Sequence, residues 1–347
     1  MAPSENGGSP RRRRLLRGLQ IVLTLAAIAA LALAANKFLS AKEVFTVLRR
    51  FEWGFALPIV GASVLSLVFG ALRFIVLLRP LTDVPGWAIA RGYIGAQPAT
   101  VLPGGVVARA AILRQLGVPG SKTSAPVLHS SLMDQVVLVL TTAIAALWFR
   151  EARFVAAIAL GVIALIALLF LLPVPRHWVS RRLGALLARV GLRRNWGQFH
   201  AALGAINHRG TIIAAFGLSI AALACSALQF FLCLRGIGVN VPFWTALLGY
   251  ALPALAGRLF ITPGGLGVTE SGIVGLLHKV AGVGLNSAAA GAALFRLSDS
   301  VLKGLIGVVV YLLFWHGERQ AAWLGRVRGQ GKEVEGDGLQ YPLEVAG

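Results

Sequence analysis

The stretch Ile261–Gly272, ITPGGLGVTESG, lies deep inside a long apolar region yet holds a proline, four glycines and a carboxylate. Pro-Gly-Gly stops a helix and permits close backbone approach. The residues beyond it, LGVTESGIVGLLHKV, read as a new helix that starts within the apolar region. A helix N-terminus carries open N–H groups and a partial positive charge, and held between other helices it suits an anionic group. Glu270 stands about one turn beyond the break. A lipid-facing, unpaired acid at mid-bilayer costs ~2.5–3.5 kcal/mol or more, so Glu270 has to face a partner or water.

The surroundings explain why the break is unusual. Of 347 residues, 57% are hydrophobic and only 13% charged, with a mean hydropathy of +0.76; a soluble domain carries about 25% charged residues. Several apolar runs approach or exceed the ~20 residues needed to cross a bilayer. This composition indicates an all-α, multi-pass membrane protein. The net charge of +20 does not indicate nucleic acid, because its sources are grouped between apolar runs. Arg11–Arg14 and Arg17 precede the first run, and Arg176, Arg181, Arg182, Arg189, Arg193, Arg194 and Arg209 share one loop free of acids. Such grouping marks cytoplasmic loops beside anionic lipid. Cys225 and Cys233 lie eight residues apart in one apolar run, too far along a helix to bridge. There is no metal-ligand spacing, and no cofactor is expected.

Along the chain, residues 1–14 form a basic tail and 15–316 the membrane domain, with a polar tail over 317–347. Within the membrane domain, Leu15–Ala35 reads as an uncleaved first span, followed by an amphipathic interfacial linker to Trp53. Further spans are expected over Gly54–Leu78, Ala125–Phe149, Phe154–Leu172, Thr211–Leu234 and up to Trp315. Two regions are broken by Pro and Gly: Val84–Gly120 and Pro242 to about Leu285. The loop over 173–210 contains an in-plane amphipathic helix.

The two broken regions resemble each other. ALRFIVLLRPLTDVPGWAIARGY (Ala71–Tyr93) aligns with ALQFFLCLRGIGVNVPFWTALLGY (Ala227–Tyr250). Each copy then reaches a Pro-Gly-Gly, at Pro103-Gly104-Gly105 and Pro263-Gly264-Gly265, and next a Leu-x-Asp-x-Val, LMDQV at 132–136 and LSDSV at 297–301. If each broken region returns to the side it entered, an odd number of spans separates the copies, and the second (about 211–316) is inverted relative to the first (about 54–172). All basic segments then lie on the cytoplasmic side. Inverted repeats with interrupted helices point to a transporter site near the midplane. The expectation is about six full spans plus two re-entrant regions, or eight spans if both regions cross fully.

The candidate site residues emerge from the scarcity of charge. Only Asp134, Glu270 and Asp299 among the acids fall well inside expected membrane segments, with Arg73, Arg109, Arg258, Arg296 and Lys303 as candidate partners. Asp299 and Lys303 stand at i, i+4, a favourable pairing order. The arginines suit phosphate through their planar fork of donors. A protonatable Glu270 would allow proton coupling. Glu270 and His278 are too widely spaced to act as an acid–base pair.

At YIGAQPATVLPGGVVARAAILRQLG and RLFITPGGLGVTESGIVGLL the chain resembles the lysylphosphatidylglycerol synthase transmembrane-region, or flippase-like, family. The Pro-Gly-Gly-Leu-Gly-Val-x-Glu run and Arg296 carry the resemblance. It implies a bacterial inner-membrane protein that moves a lipid between leaflets. The soluble domain that gives synthase members their enzymatic activity has no counterpart after Trp315 here, so synthase chemistry is not expected. The leading expectation is a flippase for an anionic or lipid-linked headgroup, with membrane lipids as partners. Its rivals are an integral-membrane enzyme on a lipid-linked substrate and a non-transporting partner of a cell-envelope or glycolipid pathway.

Overall fold

The computed structural model describes residues 41–101, 120–149, 154, 202–259 and 267–314. The first expected span, the span expected over Phe154–Leu172 apart from Phe154 itself, both Pro-Gly-Gly motifs, Arg109, residues 173–201 of the basic loop and the C-terminal tail lie outside the described residues. Among the described residues the chain is helical and contains no strand.

Helix α1, Ala41–Arg49, is the amphipathic linker: Val44, Val47 and Leu48 are half-buried, while Lys42, Glu43 and Arg49 are exposed. After a 3-10 turn at Trp53–Phe55, α2 runs from Ala56 to Leu78. Its buried positions, including Ile59, Ser63, Ser66, Gly70, Arg73, Phe74 and Leu77, recur at three- and four-residue spacing, the signature of one helix face. Leu57, Val60, Val64, Leu65, Val68 and Leu72 are exposed on the other side, as a lipid-facing surface requires. Short α3, Gly86–Gly95, comes next, then a 3-10 turn at Pro98–Val101. At ~1.5 Å per residue α3 covers about half the thickness of a bilayer core.

Helix α4 spans Gly120–Leu147 and α5 Arg209–Gly236. The described residues of the second broken region include α6, Phe243–Leu259, and α7, Val268–Ala281. Helix α8, Leu285–Arg296, passes through a π turn at Leu297–Val301 into α9, Leu302–Phe314, as one continuous helical stretch of 30 residues. Among the described residues, four stretches are long and apolar enough to cross a membrane: Trp53–Leu78, Thr123–Leu147, Arg209–Gly236 and Leu285–Phe314.

Helices α2 and α5 make the broadest interface and run antiparallel. The Glu52 N–H before α2 donates to the Gly236 carbonyl that ends α5 at 2.8 Å, while Leu77 at the far end of α2 packs with Ala215 near the start of α5. Helix α3 packs on α2, with Phe74 and Tyr93 rings 5.5 Å apart at 38°, and on α9. Helix α6 packs on α5, with Phe230 and Tyr250 rings 6.3 Å apart at 36°, and on α4. Helices α6 and α7 form an antiparallel pair: a Cβ on Gly272 would stand 2.9 Å from Pro253, and one on Gly249 3.3 Å from Leu277. The largest apolar core joins α4, α5, α6, α7 and α8 around Phe230, Leu234, Leu248, Ile273, Leu277 and Phe295.

The two ends of the bundle are distinct. One gathers α1, the close of α5 and the start of α8, where Asn286 donates to Glu43, and the Trp148–Trp244 stack at 4.2 Å and 11°. The other gathers the close of α2, the starts of α3 and α5, and the end of α9, where Arg91 of α3 lies over Phe314.

Candidate functional site

The intramembrane charges lie within α2 and α4, at the end of α6, at the start of α7, and from the end of α8 through the π turn into α9, and they meet in three groups. In the first, Arg73 is 3% exposed and grips Asp134 with both terminal nitrogens; Nη1 also donates to Ser219 Oγ at 2.9 Å. Ser219 donates its own proton to the Ala215 carbonyl, 2.9 Å away, so its lone pair is free for Arg73. The second oxygen of Asp134 faces Nη1 of Arg258 at 4.0 Å. One carboxylate therefore serves two guanidiniums.

In the second group, Glu270 occupies the third position of α7. Its Oε2 accepts the Gly267 N–H at 2.6 Å, and its Oε1 accepts Nε of Arg296 on α8. This is half of a capping box; the reciprocal half is missing because Gly267 has no side chain to return the bond. Gly267 adopts φ 88°, a conformation that glycine tolerates and β-carbons resist. An open amide end for a ligand was the expectation here. Instead the chain's own carboxylate covers one of these N–H groups. Arg296 Nη1 further donates to Ser300 Oγ at 3.3 Å.

The third group is built on the π turn. Lys303 donates to Asp299. Ser298 Oγ donates to the Phe295 carbonyl at 3.1 Å and accepts the Gln229 Nε2–H at 2.8 Å, while Ser63 Oγ donates to the Ser298 carbonyl at 2.7 Å. A π turn frees local carbonyls from the regular ladder, and Ser63 of α2 takes one up. Gln229 stands where Arg73 stands in the aligned first copy, and Ser298 precedes Asp299 as Met133 precedes Asp134.

Of the sequence-derived candidates, the structure thus joins Arg73, Asp134 and Arg258; Glu270 and Arg296; and Asp299 and Lys303. Pro103, Gly104, Gly105, Arg109, Pro263, Gly264 and Gly265 lie outside the described residues. Ser219, Gln229, Ser298 and Ser300 were not singled out by sequence reasoning; the variable positions of LSDSV carry the only signal for the last two. His278 Nδ1 lies 2.9 Å from the Val283 carbonyl at the close of α7, in a local hydrogen bond away from Glu270. Cys225 and Cys233 are free thiols. Arg258 differs from the other site cations: it is 41% exposed, and its contact with Asp134 is the longest of the ion pairs. A cleft of 540 Å³ lies at the turn between α2 and α3, lined by Arg79, Thr82, Asp83 and Gly86 among others, and one of 360 Å³ lies between α1 and α8. Neither contains the paired charges.

The family model described as the lysylphosphatidylglycerol synthase TM region matches residues 20–307. The chain belongs to this family. The matched segment of the lysylphosphatidylglycerol synthase TM region family includes all three charge groups and ends within α9. A UPF0104 membrane protein of Methanothermobacter thermautotrophicus is 28% identical over 110 residues, which is 32% of this chain and 31% of that relative; the match thus spans about a third of the relative's length. Family membership and the four apolar helices together identify a multi-pass membrane protein of a family named for a lipid-related membrane function.

Proposed function

We propose that the chain moves a lipid with an anionic or sugar-linked headgroup between the leaflets of a bacterial inner membrane, with both termini in the cytoplasm. The observation that carries this reading is Arg258. Among the described residues the site contains the cations Arg73, Arg258, Arg296 and Lys303 against the anions Asp134, Glu270 and Asp299. Arg258 is the member left without a close acceptor, and it is partly open. A guanidinium in that position suits a phosphate oxygen pair. Outward movement of one negative charge is favoured by ~2.3 kcal/mol per 100 mV of membrane potential, so no nucleotide-driven step is needed. No enzymatic step forms part of this reading.

An inverted repeat supplies the route, and the packing supports it. The aligned helices α2 and α5 run antiparallel. Their partners exchange across the copies, α3 against α9 and α6 against α4. The aligned pairs Phe74–Tyr93 and Phe230–Tyr250 also meet at similar distance and tilt. In this reading α6 and α7 form a re-entrant hairpin whose tip reaches the charge groups.

The experiment is translocation of labelled lipids in proteoliposomes. Arg258→Gln should slow movement of an anionic lipid by about tenfold, the worth of a lost charge-assisted hydrogen bond. An unchanged rate in well-folded variant protein would refute the assignment. The second reading, a non-transporting partner in an envelope pathway, is favoured by the closed pairing of the other charges; it expects no translocation by the parent protein at all.

A further inference from the structure

Independently of that reading, we propose that Arg91, Trp87 and Phe314 form a binding site for the phosphate of one anionic phospholipid. Arg91 lies over two aromatic rings: its guanidinium carbon is 4.3 Å from the centre of the Trp87 ring and 3.9 Å from that of Phe314. Trp87 and Arg91 are one turn apart on α3, and Phe314 closes α9, so two helices build the clamp. A guanidinium held over aromatic rings makes no hydrogen bond to them that uses up its N–H donors, which remain for an anion. Arg91 forms no ion pair among the described residues, unlike the site cations Arg73, Arg296 and Lys303.

The clamp is held by close helix packing. A Cβ on Gly307 of α9 would stand 2.6 Å from the Ile94 carbonyl oxygen and from Pro98 Cδ, so glycine is what lets α9 approach α3. The Cβ position of Gly95 meets Tyr311 at 3.8 Å one turn further along α9, and Phe314 comes next, over Arg91.

The location selects the occupant. The clamp lies at the end of a 30-residue apolar span, where headgroup phosphates lie. Trp87 and Phe314 are exposed, and so are Val308 and Leu312 further along α9. A phospholipid can therefore set its phosphate in the plane of Arg91 while an acyl chain runs along α9. A headgroup without its own cation leaves that phosphate uncompensated, which favours phosphatidylglycerol over phosphatidylcholine.

The test uses purified full-length protein in detergent, incubated with mixed micelles containing phosphatidylglycerol, phosphatidylcholine or both, and counts retained lipid by native mass spectrometry. The parent protein should retain a phosphatidylglycerol molecule that Arg91→Gln retains about fivefold less, as expected for one basic residue beside an anionic headgroup. Arg91→Lys and Phe314→Leu, which keep the cation but lose part of its contact with the rings, should fall between the two. These two variants decide the matter if Arg91→Gln fails to fold, and retention equal to the parent's in both would overturn the proposal. So would equal retention in folded Arg91→Gln, loss of the lipid in Arg258→Gln but not in Arg91→Gln, or displacement by inorganic phosphate alone, which would make this a free-anion site.

Discussion

Glu270 is engaged on both oxygens, by the Gly267 amide at the head of its own helix and by Arg296 of the next. One side chain thus closes the start of α7 and fastens α7 to α8. Glu270→Gln keeps the amide contact and removes the charge that Arg296 faces. Both residues are about a quarter exposed, so solvent moderates the cost. We expect Glu270→Gln and Arg296→Gln each to lower stability by about 1–3 kcal/mol, and the double variant to lose less than their sum. Thermal unfolding of the three variants in detergent measures the coupling; strict additivity would show that the pair contributes nothing jointly.

Asp134 lies between Arg73 and Arg258, which makes its loss different from theirs. Asp134→Asn strands two guanidiniums, whereas Arg73→Met leaves Arg258 to face the carboxylate. Removing one partner of a buried pair costs ~3–5 kcal/mol, and Asp134→Asn should approach the upper end. Arg73→Met should cost less, because a replacement cation already stands 4.0 Å away. A denaturation series in which Arg73→Met is the more damaging change would contradict the shared-carboxylate arrangement.

Gly307 and Gly304 lie one turn apart on α9 in opposite surroundings. A Cβ at Gly307 meets the Ile94 carbonyl and Pro98, while one at Gly304 meets nothing within 4 Å. Gly307→Ala should destabilise by ~1–3 kcal/mol through overpacking. Gly304→Ala should be neutral or slightly stabilising by helix propensity. Melting temperatures of the two variants check this, with reversal of the order as the contrary result.

The two ends of the bundle predict a labelling pattern. In a background lacking Cys225 and Cys233, single cysteines at Glu43 or Asn286 should react with an impermeant maleimide from one side of sealed vesicles. Cysteines at Asp83 or Arg209 should react from the other. Mixed sidedness within either pair would break the topology.

Much of the fold was readable from residues. The spans over Gly54–Leu78 and Thr211–Leu234 lie within a few residues of α2 and α5, because long apolar runs leave the backbone little choice but to pair with itself. The Asp299–Lys303 contact was expected from i, i+4 spacing, and the helix expected beyond the second Pro-Gly-Gly is α7, which starts at Val268. Two features were hidden. The π turn at Leu297–Val301 has no propensity signal, and its partners, Ser63 and Gln229, come from neighbouring helices distant in sequence. The capping of Gly267 by Glu270 was not anticipated: partners were sought among side chains, when position three of a helix is also where a Glu can reach back to the chain.

The π turn gives the last long helix one residue more than a uniform winding needs, so the faces before and after it are offset by about 100°. Phe295 and Gly291 can therefore keep their seat against α5 while Gly307, Tyr311 and Phe314 turn toward α3. Deleting a single residue between Leu297 and Val301 would restore uniform winding and leave Lys303 and everything after it in place, at the cost of the carbonyl that Ser63 takes up, whereas one further residue inserted there would swing them away from present neighbours by about 100°. An insertion there is thus a sharper lesion than the matching deletion, and neither would be visible to any inspection based on composition.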